Sequence, residues 1–255
     1  MTPPLFTGVA VALATLFDAD GEVDAKATAK HATTLVDLGV RALVVAGSTG
    51  EATTLADAER TELLTEVRQA VPAAIPVLAG TGAPSRRQAV ALTRTAFQHG
   101  ADGVLVLSPP RVEDARPYYQ AVAEAAAGRP VLAYHYPLVS PPGIAVDLLD
   151  ELPIHGIKDS SANPDRLLDE VSRYDGWLYV GSSALLALAG PLGASGAILA
   201  LANVEPERCV AAFSGDAEAQ RQLTASHLAI KRDFPHGLKE AIASRFGTSR
   251  VARVG

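Results

Sequence analysis

The sequence predicts an α/β fold, a (β/α)8 barrel with extra C-terminal helices. Three observations carry this reading: eight short apolar runs, an amphipathic segment after most of them, and a repeat of about 25 residues, as such a barrel requires. The 255 residues match the roughly 250 typical of one barrel. A doubly wound open sheet is the main alternative arrangement of the same elements.

The first run, "GVAVALATLF" (8–17), has no basic segment before it and is too short to span a bilayer, so it is expected to be a strand. "AKATAKHATTLVDLG" follows, apolar on one face and closed by Gly, as helix ends prefer. The second strand is "RALVVAG" (41–47), followed by the helical "DAERTELLTEVRQAV". The third is "IPVLAG" (75–80), followed by "SRRQAVALTRTAFQHG". "GVLVLS" (103–108), "PVLAYHYP" (130–137) and "GIKDSS" (156–161) supply strands four to six, and "NPDRLLDEVSRYDG" supplies the next helix. "LYVGSS" (178–183) and "GAILALAN" (196–203) complete the eight. The runs are apolar almost throughout, without period-two alternation, which suits parallel strands covered on both faces.

Helical patterns continue over 217–246, from "AEAQRQLTASHLAIKRDF" to "LKEAIASRFG". The expected organisation is therefore a barrel over 1–216 and a helical extension over 217–255. No linker or low-complexity tract divides the chain further.

Composition narrows the function. A chain that is 48% hydrophobic, 20% charged and only 5% aromatic builds its core mainly from aliphatic residues. A net charge of −6 leaves no basic surface for nucleic acid or an anionic membrane. The single cysteine, Cys209, excludes an internal disulfide framework and reads as a small buried residue on a helix. The chain is expected to be cytoplasmic.

In a barrel of this kind, chemistry belongs to the C-terminal strand ends and the loops that follow them. Polar residues gather there: "GSTGE" (47–51), "SPPR" (108–111), "YHYP" (134–137) and "KDSS" (158–161). Lys158 follows an apolar pair in a short strand, where an unpaired ammonium is costly. If buried, it loses its proton readily and becomes an amine nucleophile able to form an imine with a ketone. The competing reading is an edge lysine paired with Asp159. Tyr134, on the neighbouring strand, is suited to proton transfer, with Tyr136 on its side of the strand and His135 on the other. Gly47, Ser48 and Thr49 offer hydroxyls and backbone N–H groups to a carboxylate. "AGTGAPS" (79–85) fits no dinucleotide fingerprint, no Walker ending is present, and the six His residues lack metal-ligand spacing. No cofactor and no metal are expected.

"GSTGE" after strand two, "AGTG" after strand three, Y-x-x-P ending strand five and "GIKD-S" on strand six together resemble the dihydrodipicolinate synthase / N-acetylneuraminate lyase family. The likeness runs from "ATLFDADGEVD" to "ANVEPE", with an echo in "GLKEAI". The resemblance implies a class I aldolase on a TIM barrel, forming a Schiff base with pyruvate or another 2-oxo acid and acting on an aldehyde as a homo-oligomer, dimer or tetramer. It implies that Lys158 forms the imine, that Tyr134 transfers protons, and that Gly47, Ser48, Thr49, Arg111 and Ile198 contact substrate. It also implies that the C-terminal helical region is shorter than usual.

Two departures bear on the aldehyde. Pro110 and Arg111 stand where synthases of the lysine pathway carry a tyrosine pair, and Leu138, Val139 and Ser140 occupy a stretch where those enzymes carry an arginine. A substrate carboxylate without that arginine loses about 2 kcal/mol or more. The expected function is thus a pyruvate aldolase or lyase for an aldehyde other than aspartate semialdehyde. The alternatives are dihydrodipicolinate (4-hydroxy-tetrahydrodipicolinate) synthase itself and a non-catalytic barrel that binds a 2-oxo acid.

Overall fold

The structure, a computed structural model, describes residues 3–254. Eight parallel strands close into a barrel in sequence order: β1 (Gly8–Ala12), β2 (Ala42–Val45), β3 (Val77–Gly80), β4 (Gly103–Leu107), β5 (Val131–His135), β6 (Gly156–Asp159), β7 (Trp177–Val180) and β8 (Gly196–Leu199). β8 pairs back onto β1, with Ala10 opposite Ile198, so no open sheet edge remains. The open-sheet alternative is thereby excluded.

Why the runs read as continuously apolar is visible in β1. Val9 and Val11 face outward into the layer shared with the helices, while Ala10 and Ala12 face the barrel interior. Both faces are dry, so alternation of side-chain direction produces no alternation of polarity. Each fully buried Val or Leu contributes about 1.5–3 kcal/mol before the entropy of ordering it is counted.

The outer ring consists of α1 (Ala25–Asp37), α2 (Asp57–Ala70), α3 (Arg86–Gln98), α4 (Arg116–Ala126), α5 (Pro164–Arg173), α6 (Leu186–Ala189) and α7 (Pro206–Phe213). Their starts are set by local chemistry: the side chains of Asp24, Ser85 and Asn163 accept from the first free backbone N–H groups of α1, α3 and α5. Between β5 and β6 a 3-10 stretch, Val146–Glu151, replaces an α-helix, following the Pro141-Pro142-Gly143 interruption. Cys209 is fully buried on α7. No described helix is long and apolar enough to cross a membrane.

Two strands, β1 and β8, end well before their apolar runs do. β1 stops at Ala12; Leu13–Phe17 stays buried while its polar groups turn to the loop after β2 and to α1: Thr15 Oγ1 donates to Gly50 O at 2.8 Å, and Leu16 N donates to Thr28 Oγ1 at 2.9 Å. β8 stops at Leu199 and gives way to a 3-10 turn over Leu201–Asn203. Hydrophobicity marks burial, and burial outlasts the strand.

Beyond the ring lie α8 (Ala217–Arg232), capped by Asp216, and α9 (His236–Phe246). The last of these is built into the barrel. Lys239 on α9 forms a fully buried ion pair, 3.0 Å long, with Glu51 at the end of the "GSTGE" loop.

Candidate active site

The end of β2 is bent by an unusual backbone. Ala46 adopts φ +51°, a left-handed conformation that costs a non-glycine residue of the order of 1 kcal/mol and turns the following Gly47-Ser48-Thr49 away from the strand direction. The turn needs room on β3. A Cβ at Gly80 would stand 2.2 Å from the Ala46 carbonyl oxygen, so glycine is required there.

The loop then closes on itself: Gly50 N donates to Gly47 O at 3.0 Å, and Glu51 N donates to Ser48 O at 3.1 Å. The N–H groups of Ser48 and Thr49 donate to no backbone acceptor among the described residues. Thr49 is buried, while Gly47 and Ser48 are half-buried. Successive free N–H groups in such a turn form a concavity suited to an anion.

Glu51 anchors this loop from behind. Besides Lys239, its carboxylate accepts from Arg253 N at 2.7 Å and Val254 N at 2.9 Å, tying the loop to the C-terminal segment. Sequence reading did not single out this link. Its only trace was a charged residue of opposite sign in each motif, Glu51 in "GSTGE" and Lys239 in "GLKEAI".

On β5 and β6 the register sets Tyr134 opposite Lys158 and His135 opposite Asp159. Neighbours in register share a face, so two polar clusters lie back to back. On the interior face, Lys158 is 5% exposed and its Nζ lies 4.2 Å from the centre of the Tyr134 ring. Tyr136 stacks on Tyr134 with ring centres 5.7 Å apart, on the side expected for it.

Burial alone drives the Lys158 amine down from the usual lysine range to about 7. The edge-lysine reading is therefore corrected. Asp159 points to the other face, where its carboxylate accepts from Ser161 N at 2.7 Å and Ser161 Oγ at 2.9 Å and lies 3.8 Å from Arg166. His135 shares that outer face, 4.0 Å from Asp159, with its Nδ1 accepting from Ile144 N at 2.9 Å.

The Tyr134 phenol is pushed above its ordinary value, chiefly by burial, a rise that the nearby hydroxyls of Ser160 and Ser48 oppose. Lys158, Tyr134 and Ser48 thus come together. Ile198 is fully buried in the interior cluster that also holds Tyr134. Arg111 is different: its backbone takes φ +63° and its N–H donates to Pro141 O at 2.6 Å, but its side chain is exposed and makes no recorded contact with Lys158 or Tyr134. Among the described residues no group of three or more metal-ligating side chains converges.

A primary amine poised near neutrality, a phenol against it and an anion-binding turn beside them can bind an oxo acid and form an imine. The model of the dihydrodipicolinate synthetase family matches residues 5–244. A DapA-like lyase of Halobacterium salinarum, itself uncharacterized, is 36% identical over 93% of this chain and 84% of its own length. The 4-hydroxy-tetrahydrodipicolinate synthase of Pseudomonas aeruginosa is 36% identical over 86% of this chain and 80% of its own. Among solved structures, YagE, a prophage protein of the dihydrodipicolinic acid synthase family from E. coli K12 in complex with pyruvate, superposes with a TM-score of 0.88 at 28% identity, over 98% of this chain and 92% of that one. Fold, site geometry and sequence match converge over nearly the whole length: the chain belongs to the dihydrodipicolinate synthetase family, whose members are carbon–carbon lyases.

Proposed function

We propose that this protein is a cytoplasmic class I lyase that joins pyruvate to an aldehyde, or cleaves the adduct, through an imine on Lys158. The observation that carries the reading is the Lys158 amine: enclosed in the barrel, without an acidic partner among the described residues, and held at about 7. About half of such an amine is unprotonated at pH 7, against less than a thousandth for an ordinary lysine.

In this mechanism the neutral Nζ attacks C2 of pyruvate to give a carbinolamine. Tyr134 protonates the departing hydroxyl, water leaves and the iminium forms. Loss of a C3 proton gives an enamine, and its C3 attacks the aldehyde carbon, whose oxygen takes a proton. Water then hydrolyses the imine and frees Lys158. Gly47, Ser48 and Thr49 hold the pyruvate carboxylate on their N–H and hydroxyl groups, with Ile198 as an apolar wall. The pyruvate complex of YagE supports the choice of oxo acid.

For the aldehyde, the relatives favour the second reading. Several chains 33–43% identical to this one are named 4-hydroxy-tetrahydrodipicolinate synthase, which supports that activity over an aldolase for another aldehyde. The segment Leu138-Val139-Ser140 supports the other side, since it offers no cation to an aldehyde carboxylate; Leu138 is 79% and Val139 51% exposed. Arg111 is the cation left to supply that contact from the neighbouring loop. The family resemblance adds a homo-oligomer, dimer or tetramer, to the proposal.

Borohydride reduction in the presence of pyruvate, followed by peptide mass spectrometry, tests the core of the reading. The reduced adduct is expected on the peptide containing "GIKDSS" and is expected to vanish in Lys158→Ala and Lys158→Arg. A label on Lys26, Lys30, Lys231 or Lys239, or no label, ends the proposal. Addition of aspartate semialdehyde to the pyruvate-loaded enzyme then separates the two readings: rapid formation of the cyclic product selects the synthase.

A further inference from the structure

The substrate-binding turn is strained on both sides. Ala46 takes φ +51° and Glu51 φ +55°, left-handed conformations that a residue with a side chain keeps only where its surroundings impose them. Glu51 also closes the turn, since its N–H donates to Ser48 O at 3.1 Å. What holds Glu51 is its buried carboxylate, and the groups around that carboxylate come from a distant part of the chain.

Residues 251–254 pass behind the turn. Arg253 N and Val254 N, two successive backbone donors, close on one oxygen of the Glu51 carboxylate at 2.7 and 2.9 Å, while the other oxygen faces Lys239 at 3.0 Å. Those two donors hold Glu51 only while the segment itself stays in place, and one side chain fastens it. Arg253 makes a two-pronged pair with Glu59 on α2, at 2.6 and 2.9 Å. It also donates from Nε to Gly21 O at 2.6 Å and from Nη1 to Thr54 O at 3.2 Å. Val251, two residues earlier, packs on the apolar cluster that contains Ala46. A planar guanidinium meets a carboxylate in one orientation, so this fastening fixes direction as well as place.

We propose that residues 251–254 brace the substrate-binding turn, with Arg253 as the positioning residue: through Glu51 the segment keeps the Ser48 and Thr49 N–H groups set for the oxo-acid carboxylate, so that binding does not have to order them. Arg253 touches no substrate and acts through Glu51. The brace deepens the imine reading above and rests on it. It governs how tightly the carboxylate is held and leaves the attack by Lys158 alone.

The test measures borohydride-trapped adduct against the concentration of pyruvate and of methyl pyruvate, the same ketone without a charged carboxylate, well below each variant's melting midpoint. In Arg253→Ala the pyruvate concentration at half-saturation is expected to rise about 10-fold, with the trapping rate at saturation within about 3-fold of the parent and methyl pyruvate little affected. Glu59→Gln keeps an oxygen for the Ala56 N–H but loses the ion pair, and is expected to weaken pyruvate in the same direction. Charge attraction alone predicts the reverse there, because that variant removes a negative charge. Arg253→Lys retains the charge without the fork and is expected to fall between the parent and Arg253→Ala. An unchanged half-saturation in Arg253→Ala, even with a lower melting midpoint, overturns the inference and leaves the segment a fastener of the fold. So do equal losses with pyruvate and methyl pyruvate, a loss confined to the rate at saturation, or tighter pyruvate in Glu59→Gln. Absence of any adduct in the parent protein defeats the imine reading, and the brace with it.

Discussion

Lys158 on β6 and Lys239 on α9 are withdrawn from water almost equally, at 5% and 0% exposure, and each lies over an aromatic ring, Tyr134 at 4.2 Å and Phe17 at 4.4 Å. They differ in their polar partners, a carboxylate above all. Lys239 has Glu51 at 3.0 Å, and its ammonium also donates to the Thr15 and Val251 carbonyl oxygens. Burial depresses its pKa while Glu51 pulls it back up. Lys158 has only the depression. Burial makes a lysine a nucleophile where nothing compensates the charge; with a counter-ion, the same burial makes it a fastener.

The largest effect expected from this contrast is structural. Lys239→Met leaves the Glu51 carboxylate buried without its cation, a loss of about 3–5 kcal/mol for a broken buried pair. Thermal unfolding is expected to begin about 10 °C lower, at 2–4 °C per kcal/mol for a chain of this size. Calorimetry checks it, and a midpoint within about 2 °C of the parent makes the pair ornamental and breaks the comparison.

Next comes chemistry without instability. Tyr134→Phe keeps the ring over Lys158 and removes only the hydroxyl that transfers the proton, so turnover is expected to fall about 10²-fold. Its melting midpoint is expected to move by no more than about 2 °C. Activity that survives unchanged removes Tyr134 from the mechanism.

The smallest effect has the opposite sign to the first. The folded-state pKa of Lys158, about 7, lies below the unfolded value of 10.5, so between those pH values the unfolded chain binds more protons. Stability from this group rises with pH through that window, and its full cost is felt at pH 7 and below. Lys158→Met is therefore expected to raise the melting midpoint by a few degrees at pH 6, roughly 1–2 kcal/mol, with the gain fading as pH approaches 10. Paired melting curves at pH 6 and 9 measure it. A variant less stable than the parent at both values means that Lys158 is compensated by a partner after all.

The same contrast explains what was legible. The eight strands could be read from "GVAVALATLF" to "GAILALAN" because a strand covered on both faces has no polar position to obscure its outline. Helix starts were legible where one side chain does the capping, as at Ser85 and Asn163. Lys158, Tyr134 and Ser48 were legible as candidates because each ends a strand at the face where loops meet. Arg111 was picked by the same logic, and its exposed side chain stands on the loop after β4.

The sequence by itself determined the order of strands and helices, the family and the chemical types at the mouth, because these follow from local periodicity and from motifs a few residues long. Only the tertiary structure decided which lysine is bare and which is paired. Glu51 and Lys239 come from distant parts of the chain, and Lys158 and Tyr134 from two different strands. The pKa of a buried group depends on what stands within a few ångströms of it, and barrel closure sets those distances.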